Sequence, residues 1–166
     1  MKIGIVIHSK TGHTAGVGQG IQSKLKEEEL IAEYQTLSAR NDGEMKAELI
    51  ELEEVPSLED YDVVILGAPV RGFSLSAVMK QYLMQAKTRE NQPVLCFVTH
   101  QFPFPWMGGN QAIRQFKAAC ESKGMKVIQT KVVDWSNKNR EATIASLIDG
   151  FANAVQGLRK DNEKVV

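Results

Sequence analysis

The sequence is poor in cysteine, and its two cysteines are far apart. Cys96 and Cys120 are too few for an iron–sulphur cluster or a zinc centre. Their places on an apolar strand run and a helical run predict two reduced, packed thiols. No apolar stretch is long enough to span a bilayer, and the amino terminus enters a strand-like run at once, with no secretory pattern. A cytoplasmic chain is therefore expected, with neither membrane nor nucleic acid among its partners. No repeat, low-complexity tract or linker interrupts the sequence, and residues 1–166 are expected to form a single domain. Also absent are a Ser-His-Asp order, a paired-carboxylate site and metal-ligand spacing, so no residue is assigned to catalysis.

Net charge is missing as well, but its absence conceals a division. Residues 27 to 62 hold 13 acids and 2 bases, net −11, and the remainder holds 7 acids and 18 bases, net +11. Such a block reads either as a solvated acidic edge or as a docking surface. Hydrophobic residues at 43% and charged residues at 24% are the proportions of an ordinary globular chain, so a sizeable core is expected.

Five strand-like runs alternate with helical segments, which predicts an α/β sandwich. The strands are Lys2 to Ile7, Ala32 to Leu37, Val63 to Gly67, Val94 to Val98 and Lys126 to Val133. Three of them are near-continuous apolar runs, as parallel strands covered on both faces require. Val17, Ile21 and Leu25 recur on one face of a helix starting at Thr14. A second stripe runs from Ser76, as cap, to about Lys87, and a third from Asn110 to Ser122, stopping at Gly124. The last helix carries Ile144, Leu147, Ile148, Phe151 and Val155, after which the charged tail is expected to fray. Between Ser38 and Asp60, Asn-Asp-Gly turn chemistry and Pro56 predict an extra short strand or extended arm instead of a full helix.

Ligands of an open parallel sheet bind beyond the carboxyl ends of its strands. Three loops there are unusual. Ser9-Lys10-Thr11-Gly12-His13-Thr14 joins a buried strand to a helix start, presenting N–H and hydroxyl donors to one spot where the helix dipole favours an anion. It has neither the Lys-[Ser/Thr] ending of a nucleotide-triphosphate loop nor the three spaced glycines of a dinucleotide fingerprint. Gly67-Ala68-Pro69-Val70-Arg71-Gly72-Phe73-Ser74 combines a fixed backbone angle at Pro69 with freedom at Gly72. Arg71 reads either as a cofactor contact or as an ordinary surface charge. Thr99-His100-Gln101-Phe102-Pro103-Phe104-Pro105-Trp106-Met107-Gly108-Gly109 alternates aromatics with prolines, offering faces for a flat ring or a lid over the core. His100 reads as a hydrogen-bonded loop histidine and His8 as structural.

Taken together these loops resemble those of the flavodoxin family, in its short form, since no long insertion splits Lys126 to Val133. Ser9, Thr11, Gly12 and Thr14 match the family's FMN phosphate loop. Gly67-Ala68-Pro69 matches the second loop by position but without its common tryptophan, and Pro69-Val70-Arg71 resembles the Pro-Thr-Arg of FMN-dependent quinone reductases. The third loop lacks the family's Asp-x-x-x-Tyr pattern, and its Phe-Pro-Phe-Pro-Trp-Met-Gly-Gly run resembles uncharacterised flavodoxin-like proteins.

The resemblance implies a flavodoxin-like doubly wound sandwich, a five-stranded parallel sheet of order 2-1-3-4-5 with helices on both faces. It implies FMN as cofactor. Ser9, Lys10, Thr11, Gly12, His13 and Thr14 would hold the phosphate; Pro69, Val70, Arg71, Gly72 and Phe73 would face the polar ring edge; Thr99, Gln101, Phe102, Phe104, Trp106 and Gly108 would complete the site. Arg71 near that edge would raise the potential of the reduced couple. The expected function is electron transfer between redox protein partners. The alternatives are an NAD(P)H-dependent FMN quinone or flavin reductase, and a protein-binding module that has lost FMN.

Overall fold

The computed structural model describes residues 1–165. Its sheet is built from β1 (Ile3–His8), β2 (Ala32–Leu37), β3 (Val63–Arg71), β4 (Ser74–Leu75), β5 (Pro93–His100) and β6 (Lys126–Asp134). Five strands are parallel in the order β2-β1-β3-β5-β6, with β4 paired to β3 alone. This is the expected order once β4 is counted. Register Ile7↔Gly67 between β1 and β3, and Pro69↔Thr99 between β3 and β5, brings the carboxyl ends of all three strands to one edge.

The period-2 alternation of each strand sorts its side chains to two faces. Ile3, Ile5 and Ile7 meet α1 (His13–Glu27) through Val17, Ile21 and Leu25, and α4 (Arg140–Val165) through Leu147, Phe151 and Val155. On the opposite face Val6, Leu66, Cys96 and Val98 meet α2 (Ala77–Gln85) and α3 (Gly109–Ser122) through Val78, Tyr82, Ala112 and Phe116. Each such fully buried Leu, Ile, Val or Phe stabilises the fold by roughly 1.5–3 kcal/mol. Cys96 and Cys120 belong to this second core as free, buried thiols with sulfurs 3.7 Å apart.

Two segments depart from the sequence expectations and one meets its expectation. β3 continues past Gly67 to Arg71 and folds back through Gly72 and Phe73 into β4, so the second loop is a tight antiparallel hairpin and not an open turn. Both turn residues have positive φ, +55° and +61°, as a two-residue hairpin of the right twist requires. The sheet accordingly has six strands, five of them parallel. Second, the segment joining β2 to β3 forms the expected extended arm, with a single turn of 3₁₀ helix at Ala47–Leu49 and an isolated bridge between Ala39 and Leu52. Asn41 pins the arm by donating to the Leu49 carbonyl and accepting from the Glu51 N–H, and Ile50 and Leu58 cover the sheet where a helix would otherwise lie. Third, the last helix does not fray after Val155: it runs to Val165, with Arg159 and Glu163 paired one turn apart.

The acidic segment 27–62 covers the end of α1, the edge strand β2 and the arm, so its charge gathers on one edge of the sheet. Among the described residues no helix is long and apolar enough to cross a membrane.

Candidate functional site

The loop after β1 turns through Gly12, whose φ of +94° is a conformation that a side chain would strain. That turn opens α1, one residue earlier than the apolar spacing predicts. The N–H groups of Lys10 to Thr14 find no acceptor among the described residues; the first internal bonds are Ala15 N–H to Ser9 Oγ at 3.2 Å and Gly16 N–H to the Gly12 carbonyl at 2.9 Å. Unpaired donors at a helix start form an anion cradle. Lys10, Thr11 and Gly12 are exposed, so the cradle is open to solvent. Two of the hydroxyls expected there have partners inside the protein: Ser9 Oγ accepts the Ala15 N–H, and Thr14 shares a buried hydrogen bond with Thr99. The imidazole of His13 stacks on Trp135, centroids 3.8 Å apart and planes 10° from parallel, and the Arg140 guanidinium lies 4.8 Å from the Trp135 ring centre.

At the end of β3, Arg71 is not a free cation. Its Nη2 donates to Asp42 Oδ1 at 2.5 Å and its Nη1 to the Asp42 carbonyl at 2.6 Å. The other carboxylate oxygen of Asp42 lies 2.9 Å from Nε2 of His8, and Nδ1 of His8 lies 2.8 Å from Ser76 Oγ. Ser76 is the expected cap of α2 and accepts the Met79 N–H at 3.1 Å, leaving its own hydrogen for Nδ1. This order assigns the imidazole proton to Nε2, donating to Asp42. Burial lowers the His8 pKa below its ordinary 6.5 despite the opposing pull of Asp42. Burial also opposes ionisation of Asp42, but the hydrogen bonds from Arg71 and His8 outweigh it and hold the carboxyl below its usual range.

The loop after β5 presents its aromatics instead of burying them: Phe102, Phe104 and Trp106 are 44%, 50% and 73% exposed. They pair once across loops and once within the third loop. Phe73 stacks on Phe102 with centroids 5.7 Å apart and planes within 2°, and Phe104 on Trp106 at 6.1 Å and 6°. Gly108 permits the approach, since a Cβ there would lie 2.9 Å from Phe73 Cα. His100 closes β5 with Nε2 bonded to Asp134, while its Nδ1 is buried with no partner among the described residues. Gln101 reaches across to Ser136 Oγ at 3.3 Å.

The three loops enclose a cavity of about 180 Å³, lined by Lys10, Thr11, His13 and Thr14, by Pro69, Val70 and Arg71, and by Thr99, His100 and Gln101. A second hollow of about 400 Å³ is lined by Phe73 of the hairpin and by Trp106, Gly108, Asn110, Gln111 and Arg114. Ser9, Gly12, Gly72, Phe102 and Phe104 line neither. A wider groove of about 720 Å³ lies at Met1, Ile31 and Arg159, at the amino ends of the strands, where sheets of this kind do not bind ligands. The sequence reading missed Asp42, Asp134, Trp135 and Arg114. The last strand's carboxyl end signalled Asp134 and Trp135; nothing distinguished Asp42 from the acids around it.

These donors fit a phosphate tail, with unpaired N–H groups at the helix start, and the exposed rings beside them fit a flat heterocycle. The inner cavity alone is smaller than the roughly 300–1,000 Å³ of most small-molecule sites, so it suits the tail and not a whole flavin nucleotide.

No protein-family model matches the chain, and no curated protein does. Solved structures do. A flavodoxin from the domain Archaea is similar over 94% of this chain and 99% of its own, at 14% identity and a TM-score of 0.62. Oxidised flavodoxin 2 from Bacillus cereus matches over 93% and 99%, at 17% identity and a TM-score of 0.64. A flavoprotein from Lactobacillus acidophilus NCFM, solved in complex with FMN, matches over 79% and 92%, at 18% identity and a TM-score of 0.57. With its strand order and its loop cluster beyond β1, β3 and β5, the chain has the flavodoxin-like fold.

Proposed function

We propose that this protein binds FMN and passes electrons between redox protein partners. The observation that carries the reading is the convergence of three loops on one cavity whose first wall is a set of unpaired N–H groups and whose third loop carries exposed aromatic rings. The N–H groups from Thr11 to Thr14, with the Thr11 hydroxyl and Lys10, would hold the phosphate. Backbone groups of Pro69 to Phe73 would meet the polar edge of the ring, and Phe102, Phe104 or Trp106 would cover a face. When bound, the flavin supplies the redox chemistry; the protein tunes and exposes it. Phe73 and Phe102 leave no gap for a third ring between them, since two van der Waals separations amount to about 7 Å. Binding therefore uses an outer face of the pair or parts the hairpin from the third loop. The exposed sides of Phe104 and Trp106 give a partner apolar area to dock on.

A second reading, an NAD(P)H-dependent quinone or flavin reductase, is favoured by the hollow at Phe73, Trp106 and Arg114, which offers room on the second and third loops and a cation. Two measurements separate the readings. Titration of FMN with the protein should quench its fluorescence to a saturable 1:1 end point, and dithionite should then bleach the bound flavin. A colourless protein with no saturable binding overturns the proposal. Steady-state NAD(P)H oxidation with a quinone, without any partner protein, would transfer support to the reductase.

A further inference from the structure

Asp42 belongs to the acidic arm, yet its side chain reaches into the loop cluster and meets two residues that end strands of the central sheet, His8 of β1 and Arg71 of β3. Arg71 lines the inner cavity, and its guanidinium is largely buried, with 15% of the side chain exposed. Three hydrogen bonds converge on Asp42, two from Arg71 and one from His8. His8 is completely buried and is itself fixed by Ser76 at the start of α2. Two of the three reach the carboxylate, one on each oxygen, and the third reaches the Asp42 backbone carbonyl. A carboxylate paired at both oxygens is not a solvated surface acid, and a guanidinium in contact with it does not act as a free positive charge. We propose that Asp42 is a positioning residue of the cofactor site, which holds Arg71 against the cavity and cancels its charge, so that Arg71 presents no net charge to the flavin.

This inference rests on the FMN reading above. Its electrostatic sign is definite. Two-electron reduction of FMN with uptake of one proton leaves the ring one negative charge richer, so a cation lining the site favours the reduced form and an anion disfavours it. Removing the Asp42 charge uncovers Arg71 and should raise the midpoint potential. Removing the Arg71 charge uncovers Asp42 and should lower it. Removing both should return the potential close to that of the original protein. A purely structural tether between the arm and the sheet has a different signature: both single variants would loosen the site in the same direction, and the double variant would be no better than either.

The experiment measures the two-electron midpoint potential of bound FMN by dithionite titration against a reference dye in the unaltered protein, Asp42→Asn, Arg71→Gln and the double variant, with FMN affinity measured alongside. Asp42→Asn keeps an acceptor for Arg71, and His8 can meet the new amide by moving its proton to Nδ1, since Ser76 Oγ has a second lone pair. Far-UV circular dichroism checks that each variant folds, and Arg71→Gln tests the same pairing if Asp42→Asn does not. The expected result is opposite shifts in the two single variants. Each corresponds to at least a tenfold change in the ratio of affinities for reduced and oxidised FMN, about 30 mV for a two-electron couple, with the double variant recovered. Shifts of the same sign, or a double variant no closer to the original, overturn the role of Asp42 while leaving FMN binding intact. Absence of saturable FMN binding in the unaltered protein overturns both readings together.

Discussion

Thr14 and Thr99 share a buried hydrogen bond of 2.8 Å between their hydroxyls, joining the first turn of α1 to the end of β5 across 85 positions of sequence. It fixes the first loop of the cavity to the third. Replacing Thr99 with Val keeps the shape but leaves the Thr14 hydroxyl buried without a partner, for which about 1–3 kcal/mol is expected. Thr99→Ser retains the hydroxyl and should lose much less. Urea unfolding of the two variants measures the difference, and equal losses would show that the hydroxyl pair contributes nothing.

Phe73 is held at φ +61° at the tip of the β3–β4 hairpin, a region bulky residues avoid at roughly 1–2 kcal/mol. Its ring is more than half exposed and stacks on Phe102. Strain retained at a ring that borders the candidate site is expected to serve binding. Phe73→Asn, which tolerates that backbone, should leave the melting temperature unchanged or raised while weakening FMN binding several-fold. A stabilised variant with unaltered affinity would place the strain outside function.

Gly67 shows how closely the α1–α4 face of the sheet is filled. A Cβ there would collide with the Phe97 ring and would lie 2.9 Å from Ile7 Cδ1, both in the fully buried core. Gly67→Ala therefore overpacks the centre of the fold, and a loss of about 1–3 kcal/mol is expected in urea unfolding. Gly16→Ala, where the added Cβ would meet nothing, serves as the control and should be neutral or stabilising.

His8 makes stability depend on pH. In the unfolded chain it takes up a proton near its ordinary pKa of 6.5, but in the native state burial lowers that pKa, so the unfolded state binds more protons below 6.5. Stability should thus be fully present above pH 6.5 and decline as pH falls toward the native value. Asp42, whose pKa is also lowered, adds a second loss that begins only below its ordinary 3.8. Melting temperatures from pH 7.5 to 5 should fall in the unaltered protein and fall less in His8→Gln. Parallel profiles would rule out His8 as the source of the slope.

Much of the fold was readable along the chain because its signals are local. Near-continuous apolar runs mark β1, β3 and β5 as strands buried on both faces, and the four-residue recurrence of Val17, Ile21 and Leu25 marks a helix packed on one. The arm was legible from Asn41, Gly43 and Pro56, which resist helix. The β3–β4 hairpin was not, because a strand of two residues has no period and Phe73 is a poor candidate for a positive φ. The continuation of α4 was hidden by its charged surface, where the pairing of Arg159 with Glu163 replaces an apolar stripe.

The sequence by itself determined the alternation of strands and helices and the chemistry of the first loop, since backbone donors at a glycine turn before a helix depend on neighbouring residues alone. Only the tertiary structure decided which charges act in the site. Arg71 and Asp42 stand 29 positions apart, and the parallel pairing of β1 with β3 sets His8 and Arg71 at one edge, where the arm delivers Asp42 between them. A charge can be counted from a sequence. Whether it is free or cancelled depends on distances that only folding creates.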